Sequence, residues 1–265
     1  MTGKELIANL RESILDDAAP PYLWSDTELL RFLNYAEVQA CRRAHLIIDG
    51  TTANDNGTAA TAGTFGQKPL CTLTLIAGQA FYLLSPKILQ IKRCQLRSMA
   101  YPLNGPVSYS DMDERLSGWL GTSGTVGISG TAGTTTTVGT AGTTVTLYPT
   151  GFPTYFLNEP GNTITFLLAP ACADTSSLVV SRIPLTPFTL QTSPEIDEKY
   201  HEGLMDWAAH LAYMKNDSDT LNLNMAKLYE DKFTRQFGAL PDAYSDRMRK
   251  VLSQKQRMRP REYGS

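Results

Sequence analysis

Apolar residues recur at helical spacing at both ends of the chain and alternate through its middle. Over residues 4–15, Ile7, Leu10 and Ile14 fall on one face, which predicts an amphipathic helix. Pro20 and Pro21 stop it, because proline lacks the backbone donor and crowds the preceding turn. Ser25-Asp26-Thr27-Glu28 has the form of a capping box, in which Ser25 and Glu28 satisfy reciprocal backbone donors. A long helix is predicted from there toward His45, with Leu29, Leu33, Ala36, Ala40 and Ala44 along its stripe. The small residues on that stripe allow a second helix to approach closely.

The period then changes. Residues 71–76 alternate and are rich in β-branched side chains, Gly78-Gln79 forms a break, and 81–84 resumes the strand pattern. Segments 88–96, 155–157, 163–168 and 178–183 read as further short strands between Gly, Pro and Asn punctuation. Strands at this spacing predict a mostly antiparallel sheet or small sandwich. Helix signals return at Ser193-Pro194-Glu195, with serine as N-cap and proline at the first helical position. Leu204, Trp207, Ala208, Leu211 and Ala212 form the apolar face of that helix. Residues 216–220 interrupt it, and Asp217 and Asp219 are placed to cap a second helix carrying Ala226, Tyr229, Phe233 and Phe237. Gly238 is expected to terminate this helix, with Pro241 shortly after. A last polar helix is expected over about 244–256.

The fold class expected is α+β. The N- and C-terminal helices have matching stripes and form one discontinuous bundle, with a mostly antiparallel β-domain inserted and an extended C-terminal arm. The boundaries follow as 1–49 for the first part of the bundle, 50–67 for a loop and 68–192 for the β-domain. Residues 193–243 form the second part of the bundle and 244–265 a basic helix and arm. The bundle core is expected to contain Leu29, Leu33, Ala36, Leu204, Trp207, Leu211, Tyr229, Phe233 and Phe237.

The β-domain carries a Gly/Thr-rich insertion over 120–148. Residues 121–147 hold seven Gly and eleven Thr, with no charge and no proline, and Gly recurs every third residue from Gly121 to Gly133. A collagen helix needs that period sustained and proline in abundance, so the composition points to a flexible loop or a loose hairpin, the latter able to reach a neighbouring subunit.

Composition narrows the class. A chain of 265 residues is long enough to fold without staples. Its apolar runs fall short of the ~18 residues a membrane helix requires, and 1–17 lacks the apolar stretch of a secretory signal, so neither a membrane protein nor a secreted one is expected. Cys41, Cys71, Cys94 and Cys172 lie far apart without a CxxC pair, which reads as reduced, buried thiols rather than a zinc site or disulfide scaffold. The net charge of −2 is unevenly spread. Residues 245–265 carry Arg247, Arg249, Lys250, Lys255, Arg257, Arg259 and Arg261 against Asp246 and Glu262, a basic arm on an acidic body. Beside it Tyr244 and Tyr263 supply little stacking surface for nucleic acid.

Candidate chemistry is sparse. His201-Glu202 opens like a zinc-protease HExxH, but Met205 stands where the second histidine is needed. Asp217-Ser218-Asp219 begins like a calcium loop and fails at Leu221, Asn222 and Leu228. Asp111, Asp113 and Glu114 could surround a divalent ion, though a polar turn is the simpler reading. P-loop, dinucleotide and nucleophile-elbow motifs are missing, so neither catalytic residues nor a cofactor is expected, and the chain reads as a non-enzyme.

Three stretches carry a resemblance. They are Pro21-Tyr22-Leu23-Trp24-Ser25-Asp26-Thr27-Glu28-Leu29-Leu30-Arg31-Phe32-Leu33-Asn34 with Ala40-Cys41-Arg42-Arg43-Ala44; Ala77-Gly78-Gln79-Ala80-Phe81-Tyr82 with 86–93; and Pro194-Glu195-Ile196-Asp197-Glu198-Lys199-Tyr200-His201-Glu202-Gly203-Leu204 with Trp207-Ala208-Ala209 and 216–220. In this order they resemble the head-to-tail adaptor (connector) proteins of tailed phages, related in role to the tail tubular protein A of short-tailed phages. The sequence departs from that pattern in the insertion after Trp119, before Gly151-Phe152-Pro153 resumes it. The resemblance implies a virion protein of the neck, made in the host cytoplasm and assembled as a homo-oligomeric ring, usually dodecameric. Its partners would be the portal protein, the tail nozzle or tail tube, and tail fibres, with packaged DNA passing through the channel without sequence-specific binding. On this reading the bundle builds the ring wall and the β-domain faces the tail. Arg247, Arg249, Lys250, Lys255, Arg257, Arg259, Arg261 and Tyr263 form the portal-docking arm. The alternative is a peripheral virion component that binds a tail fibre or receptor through the β-domain.

Overall fold

The computed structural model describes residues 1–50, 70–116, 119, 122–125, 144–159, 162–215 and 221–242. Helix α1 (Gly3–Leu10) opens on a capping box made by Thr2 and Glu5 and continues as a π-helical turn over Arg11–Leu15. Helix α2 (Asp26–Ala44) follows, ending at His45 in the left-handed conformation. Then come β1 (Ile47–Asp49), β2 (Thr72–Leu75), β3 (Phe81–Leu83) and β4 (Ile88–Leu96), helix α3 (Tyr109–Arg115), and strands β5 (Thr122–Thr125) and β6 (Thr144–Leu147). Strands β7 (Thr150–Gly151), β8 (Phe156–Glu159), β9 (Thr163–Phe166), β10 (Ala169–Pro170) and β11 (Asp174–Arg182) complete the central region. The chain ends its described part with a 3-10 turn (Glu198–Tyr200), α4 (His201–Tyr213) and α5 (Leu223–Phe237). The fold is α+β, with N- and C-terminal helices and, between them in sequence, a mainly antiparallel β region.

Two compact units divide the chain. In its described residues the first comprises 1–50, 86–92, 179–215 and 221–242. Its core gathers Leu6, Ile7 and Leu10 of α1, Leu29, Phe32, Leu33 and Ala36 of α2, Leu204 and Ala208 of α4, and Tyr229, Phe233 and Phe237 of α5. Strand β1 pairs antiparallel with the end of β11 beside these helices, Ile47 opposite Arg182.

The second unit comprises the described parts of 70–85 and 93–178. There β2 pairs antiparallel with the start of β11, and β3, β9 and β8 form a second antiparallel sheet in that order. Phe156, Ile164 and Phe166 of that sheet are buried. A small core of Val107, Met112, Trp119, Leu157 and Leu167 packs α3 into this unit. Strands β5 and β6 form an antiparallel ladder, Thr125 opposite Thr144, at the base of the Gly/Thr insertion, whose residues 126–143 lie outside the described set.

Several expectations need correction. The helix expected at Ser193-Pro194-Glu195 begins only at the 3-10 turn, and in the stretch before it the N–H groups of Glu195 and Ile196 donate to the Glu37 carboxylate. Ser25 caps α2, but Glu28 does not close the box; its carboxylate reaches Lys215 instead, at 3.2 Å. Asn222, not Asp217 or Asp219, caps α5 by accepting from the Met225 N–H. Asp111, Asp113 and Glu114 lie on a helix, not in a turn: the Ser108 side chain and Asp111 form a capping box on α3. Cys41, Cys71 and Cys94 are buried, whereas Cys172 is exposed. Strand β1 and the short β7–β10 pair left no alternation long enough to detect, whereas the β5–β6 ladder falls on the loose-hairpin alternative for 121–147. The loop expected over 50–67 and the polar helix expected over 244–256 fall almost wholly or wholly outside the described residues.

Candidate functional site

The expected bundle residues come together. Leu29, Leu33, Ala36, Leu204, Tyr229, Phe233 and Phe237 are buried in one cluster, while Trp207 and Leu211 are partly buried and pack against its margin. Helical period explains this: α4 turns Leu204, Ala208 and Ala212 inward, leaving Trp207 and Leu211 at the flank. Trp207 packs on Phe233 with the rings tilted and their centroids 5.0 Å apart, and Arg43 of α2 lies over both rings, at 4.8 and 4.9 Å. The same Arg43 donates to the Thr234 hydroxyl and to the Gly238 carbonyl, where α5 ends with its carbonyl dipoles unpaid. Burial depresses the Arg43 pKa, and Glu230 opposes that shift.

Charged side chains fix the irregular connections of this unit. Buried Arg11 donates to Asp17, to the Trp24 carbonyl at 2.6 Å and to Asp26 at 2.7 Å, and its guanidinium lies 4.0 Å from the centre of the Tyr22 ring. Asp17 in turn accepts from the Leu23 N–H, so one cation organises the turn from α1 into α2.

A second cluster surrounds Arg182 at the end of β11. Its Nε donates to Asp49 at 3.0 Å and its Nη1 to Glu195 at 2.9 Å, and Glu195 also accepts from the Leu185 N–H. Burial opposes the charge on Arg182, but the bonds to Glu195 and Asp49 outweigh it and hold its pKa above the ordinary value. Glu37, 1% exposed on α2, accepts from the backbone N–H of Glu195 at 2.6 Å and of Ile196 at 3.3 Å. Burial pushes the Glu37 carboxyl up to about 7, and the Glu195 charge adds to that, while the two N–H bonds and Arg182 pull it back. One turn on, burial and these carboxylates push the Cys41 thiol up to about 12. The sequence offered no signal for this cluster, since its members lie on four separate segments.

In the second unit, Trp119 donates its indole N–H to Asp113 at 2.8 Å, and Arg115 lies over Tyr155 while donating to its hydroxyl. Asp113 therefore serves packing. Among the described residues, no group of three or more His, Cys, Asp or Glu side chains could hold a metal ion. Phe81 and Leu83 project from the edge strand β3 with about half their surface exposed, and Phe81 meets Tyr148 edge-on at 6.2 Å. The basic arm (Arg247, Arg249, Lys250, Lys255, Arg257, Arg259, Arg261 and Tyr263) lies outside the described residues. No helix among the described residues is long and apolar enough to cross a membrane.

The family model described as SU10 adaptor protein matches residues 1–260, and the chain belongs to that family. Membership makes it a structural adaptor of the phage particle, which implies a non-enzymatic role in a virion assembly. No curated protein matches the chain.

Proposed function

We propose that this SU10-family adaptor is a head-to-tail connector: a ring, dodecameric by the resemblance, that joins the portal to the tail nozzle or tail tube and leaves a channel for genome ejection. The match to the adaptor family over 1–260 carries this reading. The helical unit, with its apolar core and polar connections, suits a rigid ring wall. The basic arm suits an acidic cleft on the portal. The role parallels that of tail tubular protein A in short-tailed phages.

The test is the mass of the purified protein in solution, alone and after mixing with isolated portal rings. A ring-sized complex formed on the portal is expected, and Arg257→Glu, Arg259→Glu and Arg261→Glu together should abolish it while the far-ultraviolet spectrum stays unchanged. Portal affinity untouched by that triple variant refutes the docking role of the arm. Failure of the wild-type chain to bind its portal at low and moderate salt refutes the connector reading.

One observation favours a second contact role. The exposed Phe81 and Leu83 on edge strand β3 give the β unit an apolar face suited to a tail or fibre protein. Replacing both with Ser should leave portal binding intact and weaken the tail contact.

A further inference from the structure

Residues 183–197 connect β11 to the turn before α4 without helix or strand. Other elements hold this segment down through directed polar contacts. Asn34 of α2 grips Phe188 from both sides: its Oδ1 accepts from the Phe188 N–H at 2.9 Å and its Nδ2 donates to the Phe188 carbonyl at 3.1 Å. The Leu190 and Thr192 carbonyls accept from the N–H groups of Lys4 and Gly3, each at 3.0 Å. At the far end a single oxygen of Glu37 accepts from both Glu195 and Ile196. Phe188 and Ile196 are buried in the bundle core between these attachments.

We propose that residues 183–197 are a strap latched across α2 and that a proton on Glu37 controls the latch: protonated Glu37 holds the strap closed, and its ionisation loosens the strap from the helix face beneath Phe188 and Ile196.

The arrangement of charges gives the direction. Facing Glu37 are Glu195 from the strap itself, Arg182 from β11 and Cys41 from its own helix, and Arg182 in turn holds Asp49 of β1. His201 of α4 reaches the same place through its Nε2, which donates to the Ile196 carbonyl, and His45 bonds Ser181 of β11. Arg182 is engaged directly by Asp49 and Glu195, so its one positive charge already faces two carboxylates. Glu37 pairs with backbone N–H groups and makes no direct ion pair among the described residues. A neutral carboxyl keeps an oxygen able to accept both N–H groups, so the closed strap tolerates the proton. An ionised Glu37 adds a third negative charge to a buried cluster, and water relieves that charge only when the strap lifts.

Linkage fixes the size of the effect. Glu37 titrates at about 7 with the strap closed against an ordinary carboxylate value of 4.5 once solvated. The opening equilibrium therefore grows about tenfold per pH unit over that interval and levels off above it.

Amide hydrogen exchange on the full chain at pH 5, 6, 7 and 8, corrected for intrinsic rates, reads this opening directly. Protection at residues 188, 195 and 196 should fall about tenfold per unit to pH 7 and then level, and at every pH it should stay below that of the α5 amides, which open only on global unfolding. Glu37→Gln should abolish the slope. A pH slope that persists in Glu37→Gln overturns the proposal, since a group other than Glu37 then titrates. Equal protection factors in the strap and α5 also overturn it, since the opening is then global. A carbon-13 titration of the wild-type Glu37 carboxyl needs no variant: a midpoint near 7 is expected, and one at the ordinary carboxylate value refutes the latch.

Discussion

Phe233→Ala tests the helical core at its centre. The ring is fully buried, with Trp207 at 5.0 Å and Phe237 at 4.6 Å between centroids, and the Arg43 guanidinium lies over its face at 4.9 Å. A buried Phe→Ala exchange costs about 3–5 kcal/mol through lost transfer energy and the cavity left behind. The aromatic contacts add about 0.5–1.5 kcal/mol per pair beyond area, which places this site in the upper half of that range. Set against a stability of about 5–15 kcal/mol for a domain, the helical unit should remain folded but lose a large share of its margin. Urea unfolding followed by circular dichroism at 222 nm reads the helices, which lie mostly in this unit. With a slope of about 1–3 kcal/mol/M, the midpoint should drop by roughly 2 M. Trp207→Ala provides the contrast. Its side chain is partly buried at the core margin, so its midpoint should fall by clearly less than that of Phe233→Ala. A Phe233→Ala shift below about 0.5 M with an unchanged slope, or a larger loss from Trp207→Ala, would refute this account of the core.

Gly105→Ala should destabilise the β unit by about 1–3 kcal/mol, because an added Cβ would lie 2.6 Å from both the Phe156 ring and the Phe156 carbonyl; loss of Trp119 fluorescence on titration with urea reports it. Asn222→Ala removes the side-chain acceptor for the Met225 N–H and should cost about 1 kcal/mol of helical stability, measured as a lower midpoint at constant slope. The raised Glu37 value of about 7 against 4.5 means that the folded chain binds a proton more tightly than the unfolded one. Its stabilisation is therefore full below pH 4.5 and lost as pH rises to about 7, by roughly 3 kcal/mol. The urea midpoint should be higher at pH 5.5 than at 7.5, and Glu37→Gln should remove that difference.

Local rules in the sequence located the pieces that obey them. Ser25 marked the start of α2, alternation over 88–96 marked β4, and Gly238 marked the end of α5 with φ of 84°. The helix predicted from Ser193-Pro194-Glu195 failed for a tertiary reason. Its local start signal is sound, but long-range bonds anchor this segment to other elements, the Glu195 side chain to Arg182 and its N–H to Glu37, and the first turn comes at Glu198. Helix α3 was misread because Asp111 and Asp113 suggested a polar turn; a capping box and a bond to the Trp119 indole account for both. The β5–β6 ladder sits in Gly- and Thr-rich sequence, where alternation carries no hydrophobic contrast.

The contacts that close the bundle were the least legible, and the connectivity explains why. Its two halves are separated in sequence by the whole β region, so their apolar stripes must find one another across a long closed loop. Stripes of Leu and Ala allow helices to slide by a turn with little loss of burial, as close-packed but non-directional contacts do. Asn34 on Phe188, Glu37 on Glu195, Arg43 on Gly238 and Tyr213 on the Ile14 carbonyl do not tolerate such a slide, because each is a directed hydrogen bond between the halves. A register shift would leave the part-buried groups of Asn34, Glu37 and Tyr213 without these partners, at about 1–3 kcal/mol each. Register in this bundle is therefore set by polar pairs and its stability by the apolar core. The two are separable: Asn34→Leu should preserve helix content while weakening the protection of residue 188.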